Sequence, residues 1–141
     1  MRQSHSFQVD VVTPARTVYS GQVVAINAMA WDGYIGILAG HAPLLEQLGT
    51  GEMRLTEPDG TDVVFAISGG FMEVRPDRTI ILADTAERPT EIDVDRARAS
   101  RDRADARVTG RLDTTDLDVD RARSAFQRAA NRLRVAGVAD R

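Results

Sequence analysis

The chain has 141 residues, 18 basic against 21 acidic side chains, a formal charge of −3 and no cysteine. All the basic residues are arginine, so disulfides, Cys-ligated metals, thiol nucleophiles, Schiff-base lysines and Walker-type phosphate loops are excluded. The pI near 5.4 argues against general nucleic-acid binding, and the lack of a long apolar run or charged leader points to a cytoplasmic protein.

In chain order, the first part reads as β structure. Phe7–Val12 alternates apolar and polar residues until Thr13-Pro14 stops it. A second run spans Val23 to Trp31 and closes on the tight-turn dipeptide Asp32-Gly33. Tyr34–Leu38 follows, then Gly40-His41-Ala42-Pro43. Met53–Thr56 and Val63–Ile67 flank Glu57-Pro58-Asp59-Gly60, and Phe71–Arg75 and Thr79–Ala83 flank Pro76-Asp77-Arg78, giving two hairpins. Short strands with turns at close spacing predict a β-sandwich or barrel for residues 1–88.

The composition changes near Pro89. Residues 1–88 hold 6 arginines and 11 acidic residues, and residues 89–141 hold 12 and 10. All five prolines lie at or before Pro89, and Gly110 is the only glycine between 91 and 136. Ala122, Ala125, Phe126, Ala129, Ala130, Leu133 and Ala136 recur at helical steps, and Ala97, Ala104 and Val108 mark a weaker stripe. Residues 89–141 therefore read as an antiparallel two-helix hairpin with a polar break from Gly110 to Asp116. Asp93-Val-Asp-Arg-Ala-Arg98 recurs as Asp118-Val-Asp-Arg-Ala-Arg123. Each first Asp is placed as an N-cap, with Ile92 or Leu117 before it to staple onto Ala97 or Ala122. A seam built mostly of alanine buries little area, so the hairpin is expected to be a detachable arm.

No acid–base pair or nucleophilic constellation stands out. Asp32 and Asp59 sit in glycine turns for backbone reasons, His5 lies near the terminus, and His41 fits an interface better than catalysis, having no visible nucleophile. Gly33, Gly36 and Gly69-Gly70 precede no helix start, so they read as turns and bulges, not a phosphate cradle. The arginines of the arm are more informative. Arg96, Arg103 and Arg107 share one helix face, and Arg121, Arg128 and Arg132 share another. From spacing alone, a solvated face with Asp93/Arg96 and Arg101/Asp105 pairs is the first reading. Bidentate phosphate binding and docking on an acidic partner are the others.

Specific motifs add to this. Gly33-Tyr34-Ile35-Gly36-Ile37-Leu38-Ala39-Gly40-His41-Ala42-Pro43-Leu44-Leu45 resembles a segment of the epsilon subunit family of bacterial rotary ATP synthases. Phe7–Pro14 is similar to that family's first strand, Ser68-Gly69-Gly70-Phe71-Met72-Glu73-Val74 to a later strand, and Leu82–Arg88 to its exit from the β domain. The resemblance runs in order through nearly the whole chain.

It implies a β-sandwich followed by a helical hairpin, and a non-catalytic subunit of the proton-translocating synthase. Such a subunit couples the rotor to the c ring and inhibits ATP hydrolysis through its C-terminal hairpin. The implied partners are the gamma subunit, the c ring and the catalytic beta subunits, at the cytoplasmic face of the cell membrane. Contact with the membrane would be through the complex only. The implied interface residues are Asp32, Gly33, Tyr34, Ile35, Gly36 and His41. No cofactor is required, but some members bind ATP as a regulatory ligand through an I/L-D-x-x-R-A motif. Ile92, Asp93, Arg96 and Ala97 match that motif, Arg103, Arg128 and Arg132 match its downstream positions, and Glu87 an upstream contact. Ser100 and Arg101 stand where an alanine–lysine pair is common. The alternative is a free-standing nucleotide-sensing β-domain with a helical arm, which predicts a deep pocket in the sandwich and no large exposed apolar face.

Overall fold

The computed structural model describes residues 5–110 and 116–138, which fall into two compact units, Met1–Glu87 and Arg88–Arg141. The first holds seven strands: β1 (Phe7–Val12), β2 (Thr17–Val23), β3 (Ala25–Ala30), β4 (Gly33–Leu38), β5 (Leu44–Thr56), β6 (Asp62–Val74) and β7 (Arg78–Glu87). They form one hydrogen-bonded ladder in the order β2-β1-β7-β6-β5-β3-β4, all antiparallel except the β1–β7 pair.

The ladder folds over on itself as a sandwich, and the burial pattern shows where. Along β5 the buried positions are Leu48, then Gly51, Met53 and Leu55, so the inward parity switches near Gly49. Along β6 the core cluster takes Phe65 and Ile67, then Met72 and Val74, with the switch at Gly69-Gly70; Ala66 is also buried but is not part of that cluster. A strand with one inward face keeps one parity, so both long strands turn a corner there. Side chains from both ends of the ladder consequently meet in one core, including Val9, Ile26, Ile37, Met53, Leu55, Phe65, Met72 and Ile81.

Glycine is required at the corner. Gly69 and Gly70 have φ of +69° and +120°. A Cβ on Gly70 would overlap the Leu82 carbonyl oxygen, and one on Gly51 would lie 2.5 Å from the Met29 Cβ. Tyr19 closes the other side of the core: its ring meets Phe65 edge-on at 6.4 Å and its hydroxyl donates to Glu57 at 2.9 Å.

Two sequence expectations change here. Thr17–Val23 is a strand, and the second predicted run divides, with Val23 ending β2 and Ala25 opening β3. Met53–Thr56, Val63–Ile67 and Phe71–Val74 are parts of two 13-residue strands, because the glycines bend the strands without ending them.

The second unit opens with a 3-10 turn, Pro89–Glu91, followed by α1 (Val94–Val108) and α2 (Asp116–Val135). Asp93 caps α1, accepting a hydrogen bond from the Arg96 backbone N–H at 3.0 Å. Asp118 does not cap α2, because the helix already begins at Asp116, which places Asp118 inside the first turn. Of the predicted polar break, residues 111–115 lie outside the described residues, as does the Leu117 side chain. Among the described residues, the buried apolar side chains of the two helices are Ala97 and Ala104 on α1 and Ala122, Ala129 and Leu133 on α2.

Candidate functional site

Two regions hold the residues singled out by sequence. In the first unit, β3 and β4 form a hairpin with Ala30 opposite Gly33 and Trp31-Asp32 at the tip. Gly33 has φ +140°, which suits a residue without a Cβ at this tight return. Alternation along β4 points Ile35 and Ile37 inward and Tyr34, Gly36 and Leu38 outward. Tyr34 is 62% exposed and Trp31 at the tip is 69% exposed. Asp32, Gly33, Tyr34 and Gly36 therefore form an accessible tip and edge, whereas Ile35 packs against the core.

His41 is not part of that tip. It follows the far end of β4, about 20 Å along the strand from the turn. Gly40, at φ +82°, lets the chain reverse, and the His41 backbone N–H returns to the Leu38 carbonyl at 3.1 Å. The His41 Nδ1 lies 2.7 Å from the Ala42 carbonyl, a contact that requires the proton on that nitrogen. His41, Phe7, Pro43, Arg75 and Pro76 border a pocket of about 310 Å³. Arg75 is held there by Glu73 at 2.7 Å, which raises the guanidinium's pKa.

A further exposed apolar set lies on the outer face of β5–β7. Phe71 stands directly opposite Leu82 across the β6–β7 ladder, with Leu45 on the neighbouring strand. All three are exposed, Leu45 by 68%. The sequence reading missed these residues and Trp31. Their parity carried the signal, but only once the corner at Gly69-Gly70 was known.

In the second unit the motif residues divide by role. Ile92 and Ala97 are buried, and Asp93 is occupied as the helix cap, not as a partner for the Arg96 guanidinium. Arg96, Arg103 and Arg128 are exposed, Arg132 is half-buried, and Arg103 donates to Ser100 Oγ at 3.2 Å. Glu87 ends β7 in the first unit. Arg101 is largely buried and contacts Asp102 at 3.5 Å. At the loop end of the hairpin, Arg107, Arg121 and Arg128 line one groove of about 470 Å³ with Ser124 and Asp120. Spacing put Arg107 and Arg121 on helix faces but did not select them as site residues. Among the described residues no group of three or more His, Asp or Glu is placed to hold a metal, and no helix is long and apolar enough to cross a membrane.

Residues 6–89 match the family model described as ATP synthase, Delta/Epsilon chain, beta-sandwich domain, and residues 90–137 match the long alpha-helix domain of the same chain. The chain is 50% identical over 101 residues to an ATP synthase epsilon chain of Brevibacillus brevis, covering 72% of this chain and 76% of that one. It is 44% identical over 132 residues to the ATP synthase epsilon chain of Halalkalibacterium halodurans, covering 94% and 98%. Its fold is similar to a chain of the Euglena gracilis mitochondrial ATP synthase solved as OSCP/F1/c-ring. That likeness has a TM-score of 0.79 at 21% identity, over 89% of this chain and 78% of that one. A chain of the Tetrahymena thermophila central stalk/c-ring assembly gives 0.63 at 17% identity, over 96% and 99%.

Proposed function

The chain belongs to the ATP synthase epsilon chain family, and from that premise we propose where it works and how it regulates. It is a non-catalytic subunit at the foot of the central stalk, between gamma and the c ring, on the cytoplasmic face of the membrane. The Asp32-Gly33 tip, with Tyr34 beside it, faces the ring, and His41 serves a separate stalk contact at the other end of β4. The observation that carries this reading is the exposed apolar set Leu45, Phe71 and Leu82 on the outer face of β5–β7. A free-standing ligand-binding domain gains nothing from such a face, whereas a subunit covers it on assembly. The chain is therefore expected to co-purify with a gamma subunit, and failure to do so would count against the reading.

The hairpin acts as a brake on ATP hydrolysis, exchanging between a folded and an extended form, and meets acidic segments of the catalytic subunits when extended. Its small seam supports this, because an element held by a few kcal/mol can populate two states. ATP biases it through Ile92, Asp93, Arg96, Ala97, Arg103, Arg128 and Arg132, with Glu87 contributing from the end of β7. Deleting everything after Pro89 from the reconstituted complex is expected to raise ATP hydrolysis, and an unchanged rate rules out the brake. Calorimetric titration of ATP is expected to give binding that Arg96→Ala and Arg128→Ala weaken. No heat at millimolar ATP removes the nucleotide role.

A further inference from the structure

The cavity beyond the far end of β4 holds a polar group that the fold leaves unmet. Thr79 is the first inward residue of β7 and is 1% exposed. Its hydroxyl has no hydrogen bond among the described residues, yet it is not sealed from solvent. The little exposure that Thr79 keeps is therefore at the hydroxyl, which opens into the cavity of about 310 Å³ that Thr79 lines. A hydroxyl held this deep without a partner is unfavourable, so a ligand that meets it is favoured.

The walls narrow the ligand. Phe7, Ile37, Pro43, Val74 and Pro76 make them mostly apolar. Water would fill such a space with about ten molecules, each needing about two to four polar partners that these walls do not supply. An apolar body of ring size suits them better, with Phe7 as an aromatic neighbour. The rim adds no net charge and little free hydrogen bonding. Arg75 is matched by Glu73 at 2.7 Å, and the His41 Nδ1 is already used on the Ala42 carbonyl at 2.7 Å. The matching ligand is therefore neutral, with one hydrogen-bonding group at one end.

We propose that this cavity binds a small neutral aromatic alcohol of the phenol class, its ring on the apolar walls and its hydroxyl on Thr79 Oγ1. The site goes beyond the stalk contact given to His41 above and does not rest on it.

The test is titration of phenol into the full chain, followed by backbone amide shifts, with toluene and benzoate as comparison probes. Phenol is expected to bind in about the millimolar range, the reach of so small a molecule, and to shift the amides of Ile37 and Thr79. Thr79→Val keeps the shape and the strand propensity, and it removes only an unpartnered hydroxyl. Its melting temperature is expected to equal or exceed that of the parent chain. It should weaken phenol about five- to tenfold, the loss of one hydrogen bond, and leave toluene within about twofold. Ala39→Phe, which fills the cavity from its rim without touching β7, is expected to abolish binding of both. Four outcomes would each overturn the site. One is no saturable phenol binding at about ten times the expected range. Others are equal losses of phenol and toluene in Thr79→Val, and full phenol binding in Ala39→Phe. The last is benzoate binding as tightly as phenol, which would make Arg75 the recognising group.

Discussion

Gly70 and Gly60 both sit at positive φ, yet they do different work. Gly60 has open space around it in the β5–β6 turn, so Gly60→Ala meets only backbone strain, about 1 kcal/mol. Gly70→Ala adds a collision with the Leu82 carbonyl oxygen and must move β6 away from β7. Its expected cost is about 3 kcal/mol or more, read as a lower urea midpoint, with Gly60→Ala as the control. Asp10 supplies a pH prediction. Its carboxylate accepts from Ser20 Oγ at 2.6 Å and Gln8 Nε2 at 3.1 Å, and Arg78 lies 3.6 Å away. The Ser20 bond is the largest cause holding its pKa below the ordinary aspartate value, with partial burial opposing it. A lowered folded-state pKa gives stability that is present above the unfolded value, near 4, and is lost as pH falls through the folded one. Asp10→Asn should therefore flatten the loss of stability below about pH 4, as measured by urea unfolding across pH. The Asp93 cap was readable from its spacing alone, and Asp93→Ala should cost about 1 kcal/mol of α1 stability. Asp118 occurs in an identical hexapeptide but starts no helix, because the preceding residues here already join α2. An N-cap motif states a local preference, and the helix overrode it.

At the level of elements, legibility followed how much of the pattern was local. The turns at Asp32-Gly33, Glu57–Gly60 and Pro76–Arg78 were legible because Asp, Pro and Gly set backbone angles by themselves. Strand β2 was not, since Ser20, Gly21 and Gln22 dilute its alternation and it is an edge strand with one partner. The two long strands were read as pieces because a glycine at a corner and a glycine at a strand end look alike in one dimension. The hairpin was readable as helix and its arginine faces were readable from spacing, but the Arg107–Arg121–Arg128 grouping was not, since it depends on how the helices face each other. Its stability should also differ from that of the sheet. Among the described residues, four alanines and one leucine are the buried apolar side chains of its helices, against Phe65, Met53, Met72 and several Ile, Leu and Val side chains in the sandwich. Hydrogen exchange should therefore show α1 and α2 opening at several kcal/mol lower free energy than β6 and β7. Equal protection would mean that the arm is an integral part of the fold.

For the whole molecule, charge and burial separate along the same boundary. The sheet unit is acidic overall and keeps an apolar outer face, while the hairpin unit, Arg88–Arg141, carries 13 of the 18 arginines. Combining Leu45→Ser with Phe71→Ser should leave the sandwich folded, because both side chains point outward, yet weaken assembly with the stalk. Loss of assembly with an unchanged melting temperature is the expected signature, and unaltered assembly would move the interface elsewhere. The β1–β7 pairing has a consequence during synthesis. Gln8 pairs in parallel with Arg78, so the first strand waits for a partner made 70 residues later. Until then β1 has only β2, a hairpin too small to be stable alone. A ribosome adding about 5–20 residues per second would leave that strand's edge open for several seconds. The sheet therefore closes late and through a long loop, which predicts slow folding for its size. Closure nevertheless precedes the hairpin, since the last strand emerges before the first helix begins. On the growing chain the sheet unit is finished before the hairpin unit is made.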